Sequence, residues 1–225
     1  MPPRHVQVPA PPGTPAAQPR PALRRRPRQP RAQASSDALQ QAFVQLLLER
    51  GAKATIREIA ALAGVSVGTF YEYFADKQSL AALCIHRRVQ AMADQLRTAA
   101  QALRGRPRAE VAAAFVDLQV DVVNADAGLW SALFALERQV SPLAAYRRHY
   151  DGYVELWRDA LAHAADPPPA ERLGEVARLA HSLCYGWVSQ SLLTRGPAPG
   201  AAALRGELHA ALQAYLAAVP GASGG

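Results

Sequence analysis

From residue 35 onward apolar side chains return every three or four positions, and no stretch alternates convincingly with a period of two. That pattern predicts one amphipathic helix after another. Leu39, Phe43, Leu46 and Leu47 form the first stripe. A Ser35–Ser36–Asp37 cluster stands where a cap would open it, and Gly51 where it would end. Thr55-x-x-Glu58 has the form of a capping box, and the short helix behind it carries Ile59, Leu62 and Ala63 on its apolar face. Gly64 breaks that helix. Ser66 suits the cap of the next, whose Phe70 and Phe74 lie one turn apart. Asp76 would cap a long fourth helix through Leu80, Leu83, Met92, Leu96 and Leu103, stopped by Gly105-Arg106-Pro107.

The remainder continues in the same way. One helix carries Val111, Phe115, Leu118 and Val122, and a short one Leu129, Trp130, Leu133 and Phe134. Another follows Pro142 with Tyr146, Tyr150, Tyr153 and Trp157 on one stripe. Pro167-Pro168-Pro169 forms a loop. The last two helices are expected over about Ala170–Thr194 and Ala201–Val219, separated by Gly196-Pro197-Ala198-Pro199-Gly200. The fold class is therefore all-α.

The chemistry concentrates in Thr55–Lys77, where two short helices meet at a tight turn containing Gly64. This is the signature of a helix-turn-helix, whose second helix enters the major groove of DNA. Glycine supplies the positive φ that such a turn needs. Val65 should tuck between the helices, and Phe70 and Phe74 should point inward. Ser66, Val67, Gly68, Thr69, Tyr71 and Tyr73 would then be presented to DNA. Gly68 allows close backbone approach, the hydroxyls of Thr69 and Tyr71 suit phosphates or base edges, and Val67 suits a thymine methyl. Thr55, Arg57 and Lys77 sit at helix starts from which a phosphate is within reach. Glu72, beside this face, is read as solvent-facing.

The run I-A-x-x-A-G-V-S-x-G-T-F-Y-x-Y-F-x-D-K resembles the DNA-binding module of the TetR family of bacterial regulators, over roughly Ser35–Leu83. The resemblance implies a three-helix head, a C-terminal bundle of about six helices, and dimerisation through a four-helix bundle made by the last two helices of each chain. It further implies repression of a palindromic operator in double-stranded DNA, relieved by a small, largely apolar effector. In that context Phe115, Gln119, Trp130, Phe134, Tyr150, Tyr153, Trp157 and Trp187 become candidates for the effector site, since an aromatic cavity with few polar groups suits such a ligand. Val176, Ala180, Leu183, Trp187, Leu208, Leu212 and Tyr215 become candidates for the homodimer interface, because a two-fold protein matches a two-fold operator.

Charge adds one feature. The formal net charge is +7, yet residues 1–34 hold seven arginines and no acid, so the basic excess lies wholly in this Pro/Arg-rich arm. With almost no large apolar residue to bury, the arm is expected to be disordered. Four domains follow: the arm over 1–34, the helix-turn-helix over 35–80, a ligand-binding and dimerisation domain over 81–220, and a flexible tail over 221–225. The head itself is slightly acidic, so nonspecific affinity would draw on the arm. A sequence-tolerant architectural DNA binder without ligand response is the alternative reading. A helical enzyme finds no support: there is no G-x-S-x-G, no Gly-rich phosphate loop and no acid/base pair, so no catalytic residue is assigned. No histidine or cysteine falls at metal spacing, and neither metal nor cofactor is expected. Cys84 and Cys184 read as buried thiols in a reducing cytoplasm, and no apolar run reaches membrane-spanning length.

Overall fold

The computed structural model describes residues 30–196 and 200–221, and nine α-helices run through them. The first four are α1 (Pro30–Arg50), α2 (Ile56–Leu62), α3 (Val67–Tyr73) and α4 (Lys77–Ala102). They are followed by α5 (Arg108–Asn124), α6 (Ala127–Val140) and α7 (Leu143–Ala162), then α8 (Ala170–Arg195) and α9 (Ala201–Ala218). A 3-10 turn, Gly51–Lys53, joins α1 to α2. Residues 1–29, which include most of the expected arm, and residues 222–225 of the expected tail lie outside the described residues.

The start of α1 corrects the expected cap at Ser35–Asp37. The helix begins at Pro30, inside the segment assigned to the arm, as proline is tolerated in a first helical turn. Ser36 is a buried mid-helix residue, and the Gln40 amide donates to its carbonyl at 2.9 Å. Asp37 faces α4 instead of capping, accepting from Arg87 at 2.7 Å, and that guanidinium holds its carboxyl below the usual range.

Two cores stack along the chain. The head core joins Leu39 and Phe43 of α1, Ile59 of α2, Phe70 and Phe74 of α3, and Leu80 and Ile85 of α4. Leu129, Leu133 and Leu136 of α6 complete it from the body side. The body core is built from Leu96 of α4, Phe115 of α5, Trp157 of α7, Ala177 of α8 and Leu212 of α9 among others. Helix α4 supplies both, and Val89 packs against each. At the far end, the Arg108 guanidinium donates to the carbonyls of Val219 (2.7 Å) and Pro220 (3.2 Å) and pairs with Asp166, tying the end of α9 to the start of α5. Among the described residues no helix is long and apolar enough to cross a membrane.

The local punctuation is chemical. Thr55 and Glu58 form the reciprocal capping box at α2, Ser66 Oγ accepts from the Thr69 N–H at α3, and Asp76 and Ser79 form a second box at α4. Each cap contributes about 1 kcal/mol. The turn between α2 and α3 rests on Gly64 at φ +68°, with its N–H donating to Ala61 and that of Val65 to Ala60. The apolar stripe of α2 differs from expectation: it buries Ile59 and Ala60 and leaves Leu62 45% exposed.

A Cβ at Gly64 would meet no atom within 4 Å, so alanine there carries only the conformational cost of a left-handed residue. Gly64→Ala is expected to destabilise the protein by about 1 kcal/mol. Gly152, in the middle of α7 and equally uncrowded, should give the opposite sign, Gly152→Ala stabilising by about 0.5–1 kcal/mol. Chemical denaturation of the two variants against the parent checks both.

Candidate nucleic-acid interface and internal cavity

Helix α3 presents one face to solvent. Val67 (39%) and Tyr71 (44%) are exposed, as are Gly68 and Glu72, while Thr69 is half-buried. The Thr69 hydroxyl lies 3.0 Å from Ser66 Oγ, so the two side chains are held together at the start of the helix. Tyr71 is braced by an edge-to-face contact with Phe70, ring centroids 5.5 Å apart. A Cβ on Gly68 would touch nothing closer than Ser66 Oγ at 3.5 Å, so the head's own packing does not require glycine there. Thr55, the cap of α2, and Arg57 in its first turn are exposed.

Two expectations about this face are corrected. Tyr73 is 7% exposed and belongs to the head core, because two residues along a helix rotate it by about 200° from Tyr71. Lys77 is not a free cation: its ammonium donates to the carbonyls of Ala52 (2.7 Å) and Ala54 (2.8 Å), closing the 3-10 turn. It leaves one donor for anything else.

The acids of the head are largely engaged. Glu58 accepts from Thr55 N–H and hydroxyl and pairs with Arg50, and these contacts, the Thr55 N–H first, lower its carboxyl below the usual range. Asp37 binds Arg87 and Asp76 caps α4. Arg57 and Lys53 stay exposed and make no ion pair among the described residues.

The body holds a cavity of about 70 Å³ between α4, α5, α6, α7 and α8. Gln119, Trp130, Phe134, Tyr150 and Tyr153, all anticipated, line it. Phe115 and Trp157 do not. They meet edge to face with centroids 4.9 Å apart and are fully buried in the core beneath. Trp187 points the other way and is 41% exposed. Glu137, His149, His181, Tyr146 and Tyr185, which the sequence candidates do not include, also line the cavity. The signal was present: Glu137 continues the Trp130–Phe134 stripe at helical spacing, and His181 lies between Ala177 and Cys184 on the buried face of α8.

The polar groups of this cavity are sparse and incompletely matched. The Tyr153 hydroxyl donates to the Val89 carbonyl of α4 at 2.9 Å, and Tyr150 meets Ser182 Oγ at 2.6 Å. His86 of α4 and His149 of α7 stack and share a hydrogen bond of 3.0 Å. His149 Nδ1 then faces Glu137 at 3.9 Å, too far for a hydrogen bond. Trp130 Nε1, His149 Nδ1 and His181 Nδ1 are buried without a hydrogen-bond partner. Burial pushes His181 down to about 4, so it is neutral at physiological pH, and raises the phenols of Tyr153 and Tyr185. Cys84, in the head core, and Cys184, on the cavity wall, are buried thiols pushed up to about 12 by the same cause.

Helices α8 and α9 settle which residues one chain keeps for itself. Val176, Ala180, Leu208 and Leu212, expected at a dimer interface, are at most 3% exposed and lie in the body core. The outer face of α8 instead carries Leu179 (39%), Trp187 (41%) and Leu193 (37%), with Leu183 half-buried. The exposed face of α9 is nearly all small, with Ala203, Gly206, Ala210, Ala214 and Ala217 along it, and Tyr215 half-buried at its edge.

Comparison with known proteins agrees with this anatomy. The family model for bacterial regulatory proteins of the tetR family matches residues 41–84, and that for the tetracyclin repressor-like C-terminal domain matches residues 107–216. No curated protein sequence matches the chain significantly. Among solved structures, the fatty acid degradation regulator FadR of Bacillus halodurans superposes with a TM-score of 0.60 at 21% identity, covering 83% of this chain and 96% of its own. FadR of Bacillus subtilis in complex with stearoyl-CoA gives 0.61 at 18%, covering 78% and 96%. SmeT, the repressor of the Stenotrophomonas maltophilia multidrug efflux pump SmeDEF, gives 0.62 at 19%, covering 84% and 91%. With both halves matched in order and the helix-turn-helix exposed at one end, the chain belongs to the TetR family of bacterial transcriptional regulators.

Proposed function

We propose that the protein is a homodimeric repressor that binds a palindromic operator through α3 and is released when a small molecule enters the cavity of the body. The observation that carries the reading is the position of α4. Its first turns pack into the head that bears α3, and Val89 and Met92 farther along line the cavity. A ligand that widens the cavity pushes on the same rod that carries the head. Only a ligand that prefers the shifted state can move the equilibrium.

Tyr71, Arg57, Thr55 and the Ser66–Thr69 pair would supply contacts to the backbone and base edges, with Val67 against a thymine methyl. Two heads must reach successive half-sites, about 34–36 Å apart on one side of the duplex. The apolar outer face of α8 and the small-residue face of α9 suit a two-fold four-helix contact, since alanine and glycine let backbones approach closely while Trp187 and Leu183 supply buried area. The effector site stays with Gln119, Trp130, Phe134, Tyr150 and Tyr153, joined by the residues found around them.

Against a duplex selected from a random library, Tyr71→Phe should weaken binding about fivefold to tenfold, the loss of one hydrogen bond to DNA. Arg57→Ala should weaken it across all sequences and reduce the slope of log affinity on log salt by about one per protomer. Unchanged affinity and slope would remove both from the interface.

Ala210→Glu places a carboxylate on the exposed face of α9 without touching the core of its own chain. The variant should sediment as a folded monomer and lose operator binding by about a hundredfold or more, as two heads no longer act together. A dimer that persists unchanged would move the interface elsewhere.

A further inference from the structure

The cavity carries a charge of one sign. Among the described residues, Glu137 is its only formally charged lining residue besides histidine, and no lysine or arginine lines the wall. The carboxylate side chain is 8% exposed, yet it makes no hydrogen bond among the described residues. Its one neighbour of possible opposite charge, His149, stands 3.9 Å away and already shares its other nitrogen with His86 at 3.0 Å. A carboxylate on a largely apolar wall, with its oxygens free of hydrogen bonds from the described residues, is a ready partner for a cation.

The surroundings suit a cation. Trp130, Phe134 and Glu137 lie along one stripe of α6. Trp130 to Phe134 is 5.6 Å between ring centroids, Phe134 to Tyr185 is 5.9 Å and Tyr185 to Tyr146 is 6.3 Å, so a continuous aromatic wall runs past the carboxylate. Aromatic faces attract cations most strongly where water is excluded. The field of Glu137 already reaches this wall, adding to burial in raising the phenol of Tyr185.

We propose that the effector is an organic cation with an apolar or aromatic body, its charge set against Glu137 and its body along the wall formed by Trp130, Phe134 and Tyr185. The proposal rests on the reading that this cavity is the effector site. It separates this protein from a relative crystallised with stearoyl-CoA, because the several negative charges of a CoA headgroup would meet Glu137 with no cation on the wall to offset it. It also gives the release step a route. A cation at Glu137 competes with His149, and His149 is hydrogen-bonded to His86 on α4.

The test uses full-length protein and three probes of similar size: benzyltrimethylammonium, its uncharged carbon isostere neopentylbenzene, and the anion 3-phenylpropionate. Tryptophan fluorescence, to which Trp130 on the wall contributes beside Trp157 and Trp187, reports occupancy, and release from the selected duplex reports function. The cation is expected to bind about tenfold or more tighter than the isostere and to release DNA, with no detectable binding of the anion. Glu137→Gln should remove the preference and leave affinity for the isostere within about twofold. Because the comparison of probes is made on the unaltered protein, it holds even if that variant folds poorly. Equal binding of cation and isostere, or preference for the anion or stearoyl-CoA, overturns the cationic class while keeping the cavity as the effector site. Absence of any fluorescence response to all probes overturns the effector-site reading together with the proposal.

Discussion

Helix α4 belongs to two hydrophobic cores at once, and the rest of the architecture follows from that. Its first turns bury Leu80 and Ile85 against the helix-turn-helix, and from its middle onward it buries Met92 and Leu96 in the body. A helix of 26 residues spans roughly 39 Å and resists compression along its axis. Displacement of its middle against the cavity therefore appears at the head as a rotation or shift, not as a local dent. Close packing forces the same outcome, since a well-filled core has no slack in which to absorb a push. The junction is reinforced from the other side by α6, whose Leu129 and Leu133 enter the head core while Trp130 and Phe134 face the cavity. Two neighbouring residues of one helix thus look into the two compartments.

Two polar links at this junction join α7 to α4, beside the pair of Arg88 on α4 with Asp126 at the start of α6 at 3.5 Å. Tyr153 donates to the carbonyl of Val89, and His149 is paired with His86. Both links start at residues that line the cavity. On the proposed function, a ligand in the cavity competes with these hydrogen bonds, which would give binding energy a direct route to the head. The same cavity leaves Trp130 Nε1 and two histidine nitrogens unpaired. Such groups destabilise a fold by about 1–3 kcal/mol each when buried, and proteins tolerate that deficit chiefly where a ligand or water completes the pairing.

How much of this was legible in the sequence depends on whether the information was local. Thr55-x-x-Glu58, Ser66, Asp76, Gly64 and Gly105 act through their immediate neighbours, and the helices start and stop at them. The ends of α8 and α9 were equally legible from the Gly-Pro segment between them. The opening of α1 was not, because Ser35–Asp37 looks like a cap until Arg87, fifty residues away, supplies a partner for the aspartate. The inner and outer faces of α8 were confused for a related reason. Both are apolar, so periodicity identifies a helix without saying which stripe meets its own chain. Val176 and Ala180 turned inward and Trp187 outward by the packing of α5, α7 and α9, which no single helix encodes. In the cavity, aromatic residues drew attention and the charged ones did not. Glu137 and Arg138 are neighbours in sequence, yet the first is buried and the second exposed, which charge alone does not tell.

The acidity of the head illustrates why a charge count misleads where an interface is concerned. Five acids against four bases over Ser35–Leu80 suggests a surface that repels phosphate. Three of those acids are fixed in structural roles: Asp37 toward α4, Glu58 in its capping box with Arg50 alongside, and Asp76 at the start of α4. Their charge is spent close to backbone N–H groups or guanidinium groups, and its field beyond about 8–10 Å is small at ordinary ionic strength. Arg57 and Lys53 have no such partner among the described residues and remain exposed. Near the start of α2 these two bases face solvent, while the exposed edge of α3 carries Glu72 and the end of α1 Glu49, so pairing brings the head to neutrality. What faces a duplex is set by which charges the fold has already paired, and here the fold engages acids and bases alike: Asp37, Glu58 and Asp76 on one side, Arg50 and Lys77 on the other.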